Sequence, residues 1–162
     1  MANGDQCVAT PSAFVSAVEA TLGVSFKYDM AANTENFKCE RYFTEADNSL
    51  VIDWPRDGWC WLNPPFRNLT QWIKKCDKEM TAGSRIVTIW PLSGDQNQVP
   101  VWVQCEVNVI HGRVWPEVRG VMVCVWDWAR RPLIRGLTWD KKEHTLTYSW
   151  GKPLPELEAI EA

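Results

Sequence analysis

The sequence predicts an α/β protein, a mostly parallel sheet covered by helices with antiparallel strands at its C-terminal edge. Three observations carry this reading. Helical and strand periodicities alternate over the first two-thirds of the 162 residues, the pattern of strands joined by crossover helices. The segment "RIVTIW" (85–90) is apolar almost throughout, as expected of a strand covered on both faces. The last third reads as consecutive strands with no helix between them.

In chain order, "TPSAFVSAVEATLG" (10–23) reads as the first helix, with Thr10 as N-cap, Pro11 at the first helical position and Gly23 just past the end. Phe14, Val18 and Leu22 recur on one face. "VSFKYDM" (24–30) alternates Val24, Phe26 and Tyr28, and brings Asp29 to the C-terminal end of a strand. A polar, irregular stretch with one short helix runs on to "EADNSL" (45–50). "WCWL" (59–62) is a short strand, stopped by Pro64 because proline cannot extend a hydrogen-bond ladder. "NLTQWIKKCDKEM" (68–80) is an amphipathic helix with Leu69, Trp72, Ile73, Cys76 and Met80 on one side. Asn68 and Gln71 have the spacing of a capping box. After "RIVTIW", residues 93–105 read as a loop with a short helix. "EVNVI" (106–110) and "GVMVCVW" (120–126) are further strands, and "LIRGLTW" (133–139) with "TLTYSW" (145–150) form a closing hairpin around Asp140–Glu143.

The length fits one domain, residues 8–152, with residues 1–7 and 153–162 as flexible termini. Hydrophobic residues are 46% and charged residues 23% of the chain, ordinary for a globular protein. No apolar run approaches the ~18 residues that span a bilayer. The N-terminus lacks the basic start and apolar core of a signal peptide. The expectation is a cytoplasmic protein with no membrane partner. The six cysteines are widely spaced without a C-x-x-C pair, and the two histidines, His111 and His144, stand at no metal-ligand spacing. No metal site is expected, and the thiols read as reduced and mostly buried. Eleven tryptophans read mainly as core, with one or two open to base stacking. No glycine loop with its lysine is present, so nucleotide-triphosphate chemistry finds no support. The formal net charge of −3 argues against binding nucleic acid by bulk electrostatics. Arg113, Arg119, Arg130, Arg131, Arg135, Lys141 and Lys142 nevertheless crowd the C-terminal third, either as a local basic face or as a solvated hairpin surface.

The stretch "WCWLNPPFRNL" (59–69) is the least ordinary. Ligands of open α/β sheets bind outside the carboxyl ends of the strands, and both Asp29 and Asn63 are predicted there. Pro65 removes the donor that would follow the Pro64 carbonyl, and both prolines fix φ. The corner therefore offers the Asn63 side-chain carbonyl and the Pro64 backbone carbonyl as neighbouring acceptors for a single –NH2 group. Phe66 supplies a flat face for the ring that carries that amine. An exocyclic base amine is a poor nucleophile because its lone pair is delocalised. Accepting both of its N–H bonds localises the pair, after which positioning and an electrophile suffice.

"NPPF", in the order that runs from "TPSAF" through "YDMAAN" and "NFKCERYFT" to "WCWLNPPF", resembles the phage-type DNA N6-adenine methyltransferases, a Dam-like family. The resemblance covers about residues 10–128. It implies a compact Rossmann-like S-adenosylmethionine-dependent methyltransferase fold, with S-adenosylmethionine as cofactor and DNA as partner. Asn63, Pro64, Pro65 and Phe66 match the catalytic motif. Thr10 and Pro11 match the family's helix start, and Asp29 with Ala31 and Ala32 matches its Asp-x-Ala-Ala segment; both are implied to contact the cofactor. Asn33, Asn36, Arg41, Tyr42, Phe43 and Thr44 match its N-x-x-C-x-x-Y-F-T neighbourhood. Asp53, before Trp54, is implied to accept from the cofactor adenine. Gly112 and Arg113 match a Gly-Arg turn. Ser93 stands where the family carries an arginine, while Asp95 keeps an acidic position.

The resulting expectation is methyl transfer to the N6 amine of a flipped adenine, with low or short sequence specificity because little chain is left for target recognition. Arg67, Lys74, Lys75, Arg113, Arg130 and Arg131 are the expected phosphate contacts. Two alternatives remain open at this level: an impaired methyltransferase-like phage protein that binds DNA or protein, and an enzyme acting on another planar amine, such as RNA adenine or glutamine. If phage-encoded, the protein works in the bacterial host cytoplasm.

Overall fold

The computed structural model describes residues 8–92, 104–118, 120–130 and 132–151. The helical periodicities give α1 (Ser12–Leu22) and α2 (Leu69–Thr81). The strands are β1 (Phe26–Asp29), β2 (Arg41–Tyr42), β3 (Trp59–Leu62), β4 (Arg85–Pro91), β5 (Glu106–His111), β6 (Val121–Trp126), β7 (Leu133–Asp140) and β8 (Thr145–Trp150). Short 3-10 turns lie at Glu45–Asp47 and Phe66–Asn68.

All eight strands join one sheet in the order β2-β1-β3-β4-β6-β5-β7-β8. β2, β1, β3 and β4 are mutually parallel, β6 is antiparallel to both β4 and β5, β5 and β7 are parallel, and β8 returns antiparallel to β7. The sheet is mostly parallel as expected, and one reversed strand, β8, lies at the C-terminal edge. The other does not: β6 sits inside the sheet, between β4 and β5. Its six residues are all buried, so it reads the same from either direction, and its apolar run carries no sign of its orientation.

Alternation along the strands divides the core into two layers. Trp61, Val87, Ile89, Val121, Val123 and Val125 face α1, where they meet Phe14, Val18 and Leu22. Cys60, Leu62, Ile86, Trp90, Met122, Cys124 and Trp126 face α2, against Trp72, Ile73, Cys76 and Met80. Trp61, Trp90 and Trp126 are almost fully buried, so most of their bulk serves packing.

Tertiary contacts override two predicted caps. α1 is capped by Pro11 and α2 by Asn68, in both cases without a side-chain cap hydrogen bond. Thr10 is engaged elsewhere, as described below, and the 3-10 turn Phe66–Asn68 leads straight into α2. The capping box that does form is Thr44 with Asp47. Gly23 ends α1 in the left-handed conformation, as expected.

A buried ion pair reassigns Lys75. On α2, Lys75 and Glu79 fall three and seven residues after Trp72, on the buried stripe. Lys75 donates to Glu79 and to the Ile52 carbonyl, while the other Glu79 oxygen accepts from the Trp54 backbone N–H at 3.1 Å. Lys75 therefore pins the 49–54 loop and is not available to a phosphate. Arg119, Arg131, Ser93, Asp95, Cys7 and both predicted flexible termini lie outside the described residues.

Candidate functional site

From β1 the chain moves outward to β2, and it then resumes on the other side at β3, so the connections diverge between β1 and β3. Such a switch point leaves a crevice at the carboxyl ends of the two strands. A cleft opens there, and both Asp29, the last residue of β1, and Asn63, the first after β3, line it. Thr10, Ala31, Ala32 and Val8 form more of its wall, with Asn33, Asn36, Lys38 and Trp61 completing it. Strand alternation explains Asn63: it shares the α1 side of β3 with Trp59 and Trp61, the side from which residues 8–10 approach.

The Asn63 carboxamide is oriented by that approach. Its Nδ2 donates to the Val8 carbonyl at 2.8 Å and to Thr10 Oγ1 at 3.0 Å. A carbonyl only accepts, so the amide nitrogen must face Val8, and Oδ1 is left as an acceptor. Neither Oδ1 nor the Pro64 carbonyl receives a hydrogen bond from the described residues, whereas the Pro65 carbonyl accepts from Asn68 N at 3.4 Å. Pro64 is buried, and Phe66 is half-buried, touching both core layers. The Phe66 ring meets Trp115 edge-on, with centroids 5.9 Å apart. Trp115 Nε1 in turn donates to the Ala9 carbonyl at 3.1 Å.

Across the cleft, the Asp29 carboxylate is 3% exposed. It accepts from the backbone N–H of Ala31 at 3.3 Å and of Lys38 at 2.9 Å. Burial pushes its pKa above the usual carboxylate value, and the Lys38 and Ala31 amides pull the other way. Beyond β1, Met30 N donates to Trp61 O, Phe43 N to Asp29 O and Ala32 N to Phe43 O. The Asp-x-Ala-Ala segment is thus fixed on both sides. Asn33 and Asn36 close a local turn at the rim, in which Asn33 Oδ1 accepts from the amides of Glu35 and Asn36.

Of the residues predicted for catalysis and cofactor binding, Asn63, Thr10, Asp29 and Ala31 meet in this cleft. Pro11 is exposed at the helix start. Asp53 is exposed and does not line the cleft; its neighbour Trp54 packs in the α2 layer, and the Trp54 carbonyl accepts from Ser84 at the entry to β4. Arg67, Lys74 and Arg113 are exposed, and Arg113 donates to the Pro116 carbonyl. Arg130 lies at the opposite edge from Asn63, paired with Glu106 at 3.4 Å and with Asp127 at 3.8 Å. It also reaches the Leu22 carbonyl, and its side chain stays 29% exposed. Sequence reasoning missed Val8, Lys38, Trp61 and Trp115. Trp61 was legible from alternation with Asn63; Lys38 is placed by its amide hydrogen bond to Asp29 nine residues before it, and Val8 and Trp115 by contacts distant in sequence. Among the described residues, no cluster of three His, Cys, Asp or Glu side chains is placed to hold a metal.

The family model of the DNA N-6-adenine-methyltransferases (Dam) matches residues 2–114, which takes in the cleft and the "NPPF" corner. The chain belongs to this Dam family. The Dam-family chain is 26% identical over 108 residues to a DNA N-6-adenine-methyltransferase of Escherichia phage T1, covering 61% of this chain and 45% of that protein. A protein of the same description from Haemophilus phage HP1 (strain HP1c1) is 26% identical over 81 residues, 50% of this chain and 46% of its own length. The Dam-family chain thus spans less than half the length of either relative. Trp115 is the first residue beyond the matched segment.

Proposed function

We propose that this protein transfers a methyl group to the N6 amine of an adenine turned out of DNA, using S-adenosylmethionine and reading a short target or none. The observation that carries the reading is the pair of acceptors at the corner, Asn63 Oδ1 and the Pro64 carbonyl, beside a cleft at the carboxyl ends of β1 and β3. Family membership and the phage relatives support the substrate. The switch point in a mostly parallel sheet supports a Rossmann-like methyltransferase fold.

The lining fits S-adenosylmethionine. The cleft is lined by small side chains and by polar ones. Ala31 and Ala32 leave its floor open, and the buried Asp29 carboxylate favours an ammonium group, which would restore part of the solvation that burial removed. Thr10, Asp29, Ala31, Asn33, Asn36 and Lys38 would hold the molecule. When bound, S-adenosylmethionine supplies an electrophilic methyl group.

Asn63 Oδ1 and the Pro64 carbonyl then accept hydrogen bonds from the two N6–H groups, which localises the lone pair on nitrogen and holds it in line. Phe66 walls the base. After transfer, the surplus N6 proton leaves to water, so no histidine is needed. Arg67, Lys74 and Arg113 contact phosphates around the extruded nucleotide.

The test uses tritiated S-adenosylmethionine and unmethylated duplex DNA, comparing the parent with Asn63→Ala and followed by nucleoside analysis. Label in N6-methyladenine that disappears in the variant is the expected result. Label in another acceptor, or none with S-adenosylmethionine still bound, would sink the assignment to DNA adenine.

A further inference from the structure

A carboxamide at the end of a strand turns readily about its last torsion, and a turned Asn63 would meet a base amine donor to donor. Whatever fixes that amide therefore sets the polarity of the corner. Its two partners, the Val8 carbonyl and Thr10 Oγ1, belong to the three residues before Pro11. The Ala9 carbonyl between them accepts from the indole N–H of Trp115. Trp115 is 2% exposed, and it comes from the loop between β5 and β6. Its ring also abuts Phe66, at 66° between planes. A single side chain thus braces both neighbours of the Pro-Pro turn: the segment that orients Asn63, and the ring that follows it.

We propose that Trp115 is a positioning residue that acts on Asn63 through residues 8–10, and that its indole donor, beyond its bulk, sets the direction in which Asn63 presents its carbonyl. Its consequence for catalysis rests on the function proposed above. The amide orientation itself does not.

The experiment follows the Asn63 side-chain amide by 15N–1H NMR, assigned by its disappearance in Asn63→Asp. Trp115→Phe keeps an aromatic ring and removes the donor. The expected result is an Asn63 amide protected from hydrogen exchange in the parent and exchanging roughly tenfold faster in Trp115→Phe, the size of one lost hydrogen bond. In the methyl-transfer assay, kcat should fall roughly tenfold or more from misplacement, with KM for S-adenosylmethionine within about twofold. Thr10→Val, which releases the same segment from Asn63 without touching Trp115, provides a second route. Its effect on kcat and that of Trp115→Phe should combine to less than their product. If Trp115→Phe does not fold, faster exchange of the Trp115 indole N–H and the Asn63 amide in Thr10→Val supports the coupling, and an unmoved indole overturns it. Unchanged Asn63 exchange in Trp115→Phe overturns the proposal, as does a loss confined to KM. A parent with no transferase activity defeats the proposed function, while the exchange measurement still decides the role of Trp115.

Discussion

Lys74 and Lys75 are neighbours in sequence with opposite environments, so replacing each alone separates a phosphate contact from a structural ion pair. Lys75→Met keeps the length of the stem and removes the ammonium that serves Glu79 and the Ile52 carbonyl. The Glu79 side chain is then left 1% exposed without its counter-charge. Breaking a buried pair from one side costs about 3–5 kcal/mol, a large part of a typical total of about 5–15 kcal/mol. In a chain of this size each kcal/mol moves Tm by roughly 2–4 °C. The expected fall is therefore about 6–20 °C. Lys74→Ala, at an exposed position, should change stability by no more than about 0.5 kcal/mol. DNA binding should show the reverse ranking. Losing one phosphate contact at Lys74 lowers the slope of log K against log salt by about 0.9, and Lys75→Met leaves the slope unaltered below its Tm. Calorimetric melts, with fluorescence anisotropy on a labelled duplex across a salt series, read both quantities. A Lys75→Met protein that melts within about 2 °C of the parent, or that binds with a reduced salt slope, would refute the reasoning.

Gly112 has φ of 105°, and a Cβ there would lie 2.9 Å from the Trp139 carbonyl oxygen. Gly112→Ala should cost about 1–3 kcal/mol or more and lower Tm by several degrees; an unaltered melt would show that the turn relaxes freely. Asp57 is held down to about 2 by hydrogen bonds from Lys27 and Tyr28. Its folded pKa is below the unfolded one, so its stabilisation is present above about pH 4 and lost as pH falls toward 2. Asp57→Asn should therefore be less stable than the parent at neutral pH, converge with it only as pH falls through about 2, and lose most of the difference in high salt because the site is exposed. Parallel pH–stability curves would contradict this. Burial pushes the Cys39 and Cys60 thiols up to about 12 and raises Cys76 and Cys105 as well. At pH 8 these four should resist iodoacetamide until denaturant is added, and peptide mapping that finds them alkylated in the native protein would count against the buried-thiol reading.

Much of the architecture was legible where local signals and tertiary demands agree. The continuous apolar run of β4, the stripe on α2 and the hairpin β7–β8 all form where the periodicities put them. Orientation within the sheet was not legible, because β6 is buried on both faces and its pattern has no direction. Thr10 shows a different limit: as a local signal it reads as a helix cap, yet the free energy of satisfying Asn63 claims its hydroxyl. Lys75 was legible in principle, since its spacing from Trp72 and its i,i+4 relation to Glu79 place both on the buried stripe. The cleft residues Asp29 and Asn63 were found because strand ends can be read from a proline or a change of period, whereas Ala31 came with the family resemblance. Trp115 could not be found that way, as nothing local tells which of eleven tryptophans reaches a carbonyl 106 residues away.

The segment before α1 gives the order of synthesis a meaning for this protein. Val8 and Thr10 leave the ribosome well before Asn63, and Ala9 well before Trp115, while α1 is tied to the last strand by the Thr21 hydroxyl bond to Leu146. Contacts of such separation must wait for the far end of the chain. At about 5–20 residues per second, Leu146 follows Asn63 by roughly 4–17 s. Through that interval a nascent chain carries the "NPPF" corner with Val8 and Thr10 already made, but α1 is not yet tied to β8. The fully braced cleft thus waits for β8, and an incomplete chain that stops before β5 holds the motif without the Trp115 bond to Ala9.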